Sequence, residues 1–137
     1  MSPGLLRIWV DGACRGNPGP SSVGGHIEDE LGHTVAQISE CLGVTTNNVA
    51  EYKALIRALE EAQALGASEV EVRADSLLMV KQMAGEYRVK HPNLKPLFEK
   101  ARVLARGFRI FRFTHVPREE NRAADRLANL ALDGERP

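Results

Sequence analysis

The hydrophobic repeat of this chain changes at Val49, and few architectures accommodate the change. In residues 5–14, Leu6, Ile8 and Val10 alternate with other residues, Trp9 among them. That is the period of a strand. After the change, Tyr52, Leu55, Ile56, Leu59, Ala62 and Leu65 recur at helical spacing, with Lys53, Arg57, Glu60 and Glu61 on the other face. They form an amphipathic helix. A chain that opens with strands and goes on to alternate helices with strands builds a sheet that is part antiparallel and part parallel.

The remaining elements fit that frame. The turn formers RGNPGP at 15–20 reverse the chain, and strands are expected at 22–29 and 34–43 around the turn-like ELGH at 30–33. Gly66 suits the C-terminal cap of the long helix. Val70, Val72 and Ala74 alternate with charged neighbours as a fourth strand ending in Asp75, and 76–83 reads as a short helix. Residues 85–96, with a glycine and two prolines, read as a loop; a helix then runs to about Arg106 and stops at Gly107. Phe108, Ile110, Phe111, Phe113 and Val116 mark a fifth strand, which Pro117 ends. A last helix from about Asn121 to Leu132 lines up Ala124, Leu127, Ala128 and Ala131. With right-handed crossovers, this order predicts an α/β fold: a five-stranded mixed sheet with strand 1 central and helices on both faces. Residues 1–132 read as one domain and 133–137 as a C-terminal tail.

At 137 residues the chain can bury a core without staples. Lys+Arg 18 against Asp+Glu 18 gives no global attraction to a polyanion. The positive charge is nevertheless gathered: Arg88, Lys90, Lys95, Lys100, Arg102, Arg106, Arg109 and Arg112 face the single acid Glu99 in that stretch. A solvated helix face and a phosphate-tracking surface both fit such a run. No segment reads as a membrane span or leader, so a cytoplasmic monomer is expected. Cys14 and Cys41 match no metal spacing or disulfide framework and read as reduced thiols. The absence of a GxxxxGK loop argues against nucleotide-triphosphate binding by that route.

Four acids occupy comparable places: Asp11 ending strand 1, Glu51 in the first turn of the long helix, Asp75 ending strand 4 and Asp125 near the start of the last helix. If strands 1 and 4 are parallel neighbours, Asp11 and Asp75 leave the same sheet edge, and helix starts bring in the other two. Clustered carboxylates raise one another's pKa, and a divalent cation relieves the repulsion. Gly12 leaves the backbone beside Asp11 open to close approach by a ligand. Each acid also has a local reading. Glu51 stands three after Asn48, as in a capping box. Asp75 suits a helix cap, Asp125 beside Arg122 and Arg126 suits a dipole partner, and Asp11 suits a solvated strand end.

Four blocks in this order, VDGACRGNPGP at 10–20, TTNNVAE at 45–51, ADS at 74–76 and HVPREENRAADRLA at 115–128, resemble the type 1 ribonucleases H. They span almost the whole chain. The resemblance implies a ribonuclease H-like fold with sheet order 3-2-1-4-5 and endonucleolytic hydrolysis of the RNA strand of RNA–DNA hybrids. It implies a catalytic, metal-binding set at Asp11, Glu51, Asp75 and Asp125 for two Mg2+ (or Mn2+) ions, Asp11 bridging, Glu51 and Asp75 on one ion and Asp125 on the other. His115 matches the family's catalytic loop histidine, although a structural histidine after strand 5 fits it equally; Arg118 is its substitute. Gly12, Asn17, Asn47, Asn48, Ser76 and Arg118 are the substrate-binding candidates. Neutral amides and hydroxyls suit a 2′-hydroxyl, which both donates and accepts. Asn47 and Asn48 also suit the turn and cap before the helix.

The chain departs from many relatives at YRVKHPNLKP, 87–96, which bridges compactly an interval where they carry an extra helix and a basic loop. This resembles the short branch found in archaea and some bacteria. It implies a weaker grip, left to Arg88, Lys90 and Lys95, and double-stranded RNA as a further substrate. The opposing functional class is a catalytically inactive nucleic-acid-binding domain of the same fold. A DNA nuclease of the same superfamily is disfavoured by the stretch from Asn47 to Glu51.

Overall fold

The computed structural model describes residues 4–134. Strands β1 (Leu5–Cys14), β2 (Gly19–Glu28) and β3 (Thr34–Thr45) form an antiparallel meander. Helix α1 (Asn47–Ala64) leads to β4 (Glu69–Ala74), α2 (Leu77–Met83) and α3 (Lys95–Arg106). Strand β5 (Ile110–His115), a single 3-10 turn at Arg118–Glu120 and α4 (Arg122–Gly134) complete the described chain. The sheet order is β3-β2-β1-β4-β5, with β4 parallel to both β1 and β5, as expected.

Several boundaries differ from the sequence reading, each for a local reason. Strand β2 starts three residues early because the turn closes at once, Arg15 N–H on the Pro20 carbonyl at 2.9 Å, and Gly19 already pairs with Thr45. The cap of α1 is Thr46, whose Oγ1 accepts from Val49 N at 3.3 Å, so Asn47 and Asn48 lie inside the helix. Helix α3 begins at Lys95, before the expected end of the loop, since Pro96 sits in the first turn where no N–H is needed. Phe108 is buried but precedes β5; its N–H goes to Ala105 at the end of α3. Helix α4 takes in Asp133 and Gly134 of the expected tail, and 135–137 lie outside the described residues.

The alternation in β1 sorts its side chains onto two faces. Leu6, Ile8 and Val10 join Val23, Ile27, Val70 and Val72 in a core closed by Tyr52, Leu55 and Leu59 of α1. Each such side chain contributes about 1.5–3 kcal/mol by leaving water. Helix α4 covers the opposite face of β2, β1 and β3 with Ala124, Leu127, Ala128 and Leu132. Among the described residues no helix is long and apolar enough to cross a membrane.

Candidate active site

Trp9 of β1 lies in register with Arg73 of β4, so Asp11 and Asp75, each two residues further on, leave the sheet at the same edge. Two glycines then bring helices to that edge. A Cβ on Gly12 would fall on the backbone of Ala50 and within 2.5 Å of Glu51 N. The close approach expected at Gly12 is therefore made by α1 of the same chain. Gly12 N–H donates to Glu51 Oε1 at 2.5 Å, so Glu51 faces the strand rather than closing a capping box. On the other face, Gly24 pairs with Asp11, and a Cβ there would meet the Ala124 carbonyl and lie 2.6 Å from Ala128 N. Ser22 and Ser39 donate from Oγ to the carbonyls of Ala128 and Leu127 at 2.5 and 2.6 Å, seating α4 with Asp125 in its first turn. Helix α2 is capped by Ser76, which accepts from Met79 N at 3.2 Å, and not by Asp75.

Oxygens of Asp11, Glu51 and Asp75 lie within 4.8 Å of one another. Asp11 and Glu51 are only 7% and 4% exposed. Burial, reinforced by the charges of Glu51 and Asp75, pushes the Asp11 carboxyl up to about 10. Burial also raises Glu51 to about 7, against the Gly12 hydrogen bond that lowers it. Asp75 is raised chiefly by burial, while the Arg118 guanidinium pulls it down. Asp125 lines the same cleft as these three and adds to the upward push on Asp11. On its other side lie Arg118 Nη2, 3.9 Å from Oδ1, and Asn129 Nδ2, 3.3 Å from Oδ1 and 2.9 Å from the backbone carbonyl. A trio of carboxylate oxygen donors, two of them buried and each raised toward its protonated form, fits a hard divalent cation such as Mg2+ or Mn2+ better than any softer ion.

A cleft of about 510 Å³ gathers Asp11, Gly12, Asn47, Glu51, Asp75, Ser76, Arg118 and Asp125. His115 is not among its lining residues; it is exposed at the end of β5, beside Ala74. Asn17 and Asn48 line a neighbouring groove of about 260 Å³ with Thr46 and His91. Asn17 Oδ1 accepts from Asn47 N at 3.0 Å, tying the first turn to the start of α1. Two lining residues escape the sequence reading. Asn129 stands one helical turn after Asp125, a spacing that signals contact once Asp125 is chosen. Arg15, which pairs with Asp133 at 2.7 Å, carries no such signal. The basic run divides: Lys100, Arg102, Arg109 and Arg112 pair with Glu60, Glu99, Glu69 and Glu71, whereas Arg88, Lys90 and Lys95 are exposed outside those pairs.

A 3-2-1-4-5 mixed sheet with four carboxylates gathered at the end of its central strand defines an α/β domain of the ribonuclease H-like class. A model of the reverse transcriptase-like family matches residues 9–131, and the chain belongs to the type 1 ribonuclease H family within it. It is 45% identical over 130 residues to ribonuclease HI of Halobacterium salinarum, covering 95% of this chain and 65% of that protein. The crystal structure of that organism's RNase H1 superposes with a TM-score of 0.93, over 96% of this chain and 99% of the other. LC11-RNase H1 in complex with an RNA/DNA hybrid is 48% identical, with a TM-score of 0.89 over 94% of this chain and 97% of that one. A bifunctional protein of Mycobacterium tuberculosis is 47% identical over 127 residues, which are 92% of this chain. The chain spans only 35% of the length of that mycobacterial relative.

Proposed function

We propose that this chain hydrolyses the RNA strand of RNA–DNA hybrids with two divalent cations, Mg2+ or Mn2+, and that residues 1–132 act as one catalytic unit, a cytoplasmic monomer. The observation that carries the reading is the trio of Asp11, Glu51 and Asp75, with oxygens within 4.8 Å of one another and Asp125 lining the same cleft. The likeness to LC11-RNase H1, whose structure holds a hybrid, supports the substrate. Divalent cations held by these carboxylates would supply Lewis-acid activation of a water and charge stabilisation of the leaving oxygen. Asp11, Glu51, Asp75 and Asp125 would hold them, Asp11 as the ligand common to both, Glu51 and Asp75 toward one and Asp125 toward the other.

The protein's own groups do the rest. The Gly12 amide fixes one oxygen of Glu51, leaving the other to face ion and substrate. Asn47 and the Ser76 hydroxyl line the cleft beside the acids. With Gly12, and with Asn17 and Asn48 in the adjoining groove, they read the 2′-hydroxyl of the RNA strand. The loop role expected of His115 falls to Arg118, whose guanidinium lies in the cleft between Asp75 and Asp125. Arg88, Lys90 and Lys95 hold the phosphate backbone, and with so small a basic surface the enzyme also accepts double-stranded RNA.

The test is cleavage of end-labelled hybrid, double-stranded RNA and double-stranded DNA, with Mg2+, Mn2+ or chelator, by the intact protein and Asp75→Asn. Metal-dependent cutting of the hybrid's RNA strand that the variant loses is the expected result. A folded protein that binds the hybrid but cuts nothing with either metal would be a binding domain, and equal cutting of the DNA duplex would make it a DNA nuclease.

A further inference from the structure

We infer that Asn121 is a positioning residue of the metal centre, one buried amide that fixes the relative placement of the elements carrying Asp11, Asp75 and Asp125. The inference rests on the metal-binding reading of those acids. Asn121 is wholly shielded from solvent, the only asparagine among the described residues to be so. Its Nδ2 donates to the carbonyl of Val10, 2.9 Å away, and Val10 immediately precedes Asp11 in β1. The same side chain also acts on the carboxylate of Asp75, beyond the end of β4, and favours its ionised form. Its backbone carbonyl accepts from the N–H of Asp125 at 3.1 Å, the bond that opens α4. Its own N–H closes the preceding 3-10 turn on the Arg118 carbonyl at 2.9 Å, so the turn that presents Arg118 is tied to the same point. Three acids and the cleft arginine thus refer to one residue, although β1, β4 and α4, which lead to the acids, are nowhere consecutive in the chain.

The stranded oxygen shows what the amide is for. Asn121 Oδ1 is buried and has no hydrogen-bond partner among the described residues. A side chain kept only to fill that space would be better apolar, because a buried acceptor without a donor is unfavourable. What an apolar residue of the same size cannot supply is the N–H that holds the Val10 carbonyl next to Asp11, or a polar group facing Asp75. Second-layer groups of this kind set the orientation of metal ligands, and their removal typically weakens metal binding or activity by about 10–100-fold.

The experiment compares the intact protein with Asn121→Asp, Asn121→Ala and, as a control for lost packing in α4, Leu132→Ala. Mn2+ is titrated in while thermal unfolding is followed, and hybrid cleavage at saturating Mn2+ separates kcat from KM. Asn121→Asp keeps the shape but turns an acceptor toward Val10 and Asp75; Asn121→Ala removes the contacts altogether. We expect both to raise the Mn2+ concentration for half-maximal stabilisation by about tenfold or more and to lower kcat by a similar factor. The KM for hybrid should change by less than about twofold, because the substrate is gripped elsewhere. Leu132→Ala should lower the metal-free Tm but leave the Mn2+ midpoint within about twofold. If the Asn121 variants respond to Mn2+ as Leu132→Ala does, or if neither folds at any Mn2+ concentration, Asn121 is structural and the inference is overturned. An intact protein that shows no Mn2+-dependent stabilisation would instead sink the metal-site reading itself.

Discussion

At the scale of single residues, the acids proposed to hold the metal are also a source of instability. Asp11 and Glu51 are held above the ordinary carboxylate range, first by burial and then, for Asp11, by the charges of Glu51 and Asp75 and, for Glu51, by that of Asp75. A carboxyl whose pKa is raised on folding keeps its proton in the native chain after the unfolded chain has lost it. Stability is therefore greatest below the unfolded value, near 3.8 for Asp11, and declines as pH rises toward the folded values. In chelator, we expect the Tm to fall as pH rises from about 4 to about 7 and on toward alkaline pH, and saturating Mn2+ to reverse the fall. Asp11→Asn should raise the metal-free Tm at pH 8 by about 3–6 °C, flatten its pH dependence and abolish both cleavage and metal stabilisation. Thermal unfolding across pH decides this; a variant as pH-sensitive as the intact protein would contradict it. For the loop, Arg118→Ala should lower kcat by about tenfold or more and His115→Ala by less than about threefold, since only Arg118 lies in the cleft. The four acids were legible because each ends or begins an element. Asn129 was not, because an amide inside a helix has no chemistry of its own until its neighbour is known.

At the scale of elements, two glycines determine where the helices carrying Glu51 and Asp125 can lie. Gly24→Ala would put a methyl on the Ala124 carbonyl and 2.6 Å from Ala128 N, and the overpacking should cost about 1–3 kcal/mol. We expect α4 to shift and cleavage to fall by more than the lost stability explains. Binding of a first Mn2+ ion, at ligands on β1, α1 and β4, should survive; calorimetry reading a reduced stoichiometry of Mn2+ would bear this out. Gly12→Ala, against the start of α1, should instead weaken binding at the trio itself. The elements themselves were mostly legible from period and turn residues. Strand β2 was misplaced at its start because Gly19 and Pro20 look like turn residues yet pair with Thr45 and Val44. The 3-10 turn at Arg118–Glu120 has no repeat long enough to register, and it is what carries Arg118 to the cleft.

For the whole molecule, charge is balanced and much of the basic run is spent on acids of α1, α3 and β4. Few cations remain to displace counterions from a hybrid. The logarithm of kcat/KM should therefore fall with the logarithm of salt concentration with a slope of only about −2 to −3, against about −0.9 per phosphate contacted. Replacing Arg88, Lys90 or Lys95 by alanine should each reduce the slope by up to about one. A slope steeper than about −5, or one untouched by these changes, would place the grip elsewhere.

What the sequence determined by itself was the class of fold and which four acids come together at one cleft. Alternation, helical spacing and turn residues are local properties, and an acid at the edge of an apolar element is visible without coordinates. Tertiary structure alone decided which other side chains meet. Asn121 reaches back 111 positions to Val10, Ser22 and Ser39 seat a helix about a hundred residues later, and Gly12 admits the start of α1. His115 and Arg118 are three residues apart, and only one lines the cleft, because a strand ends between them and a tight turn begins. Such contacts depend on how elements pack across the sheet, a relation that no spacing along the chain encodes.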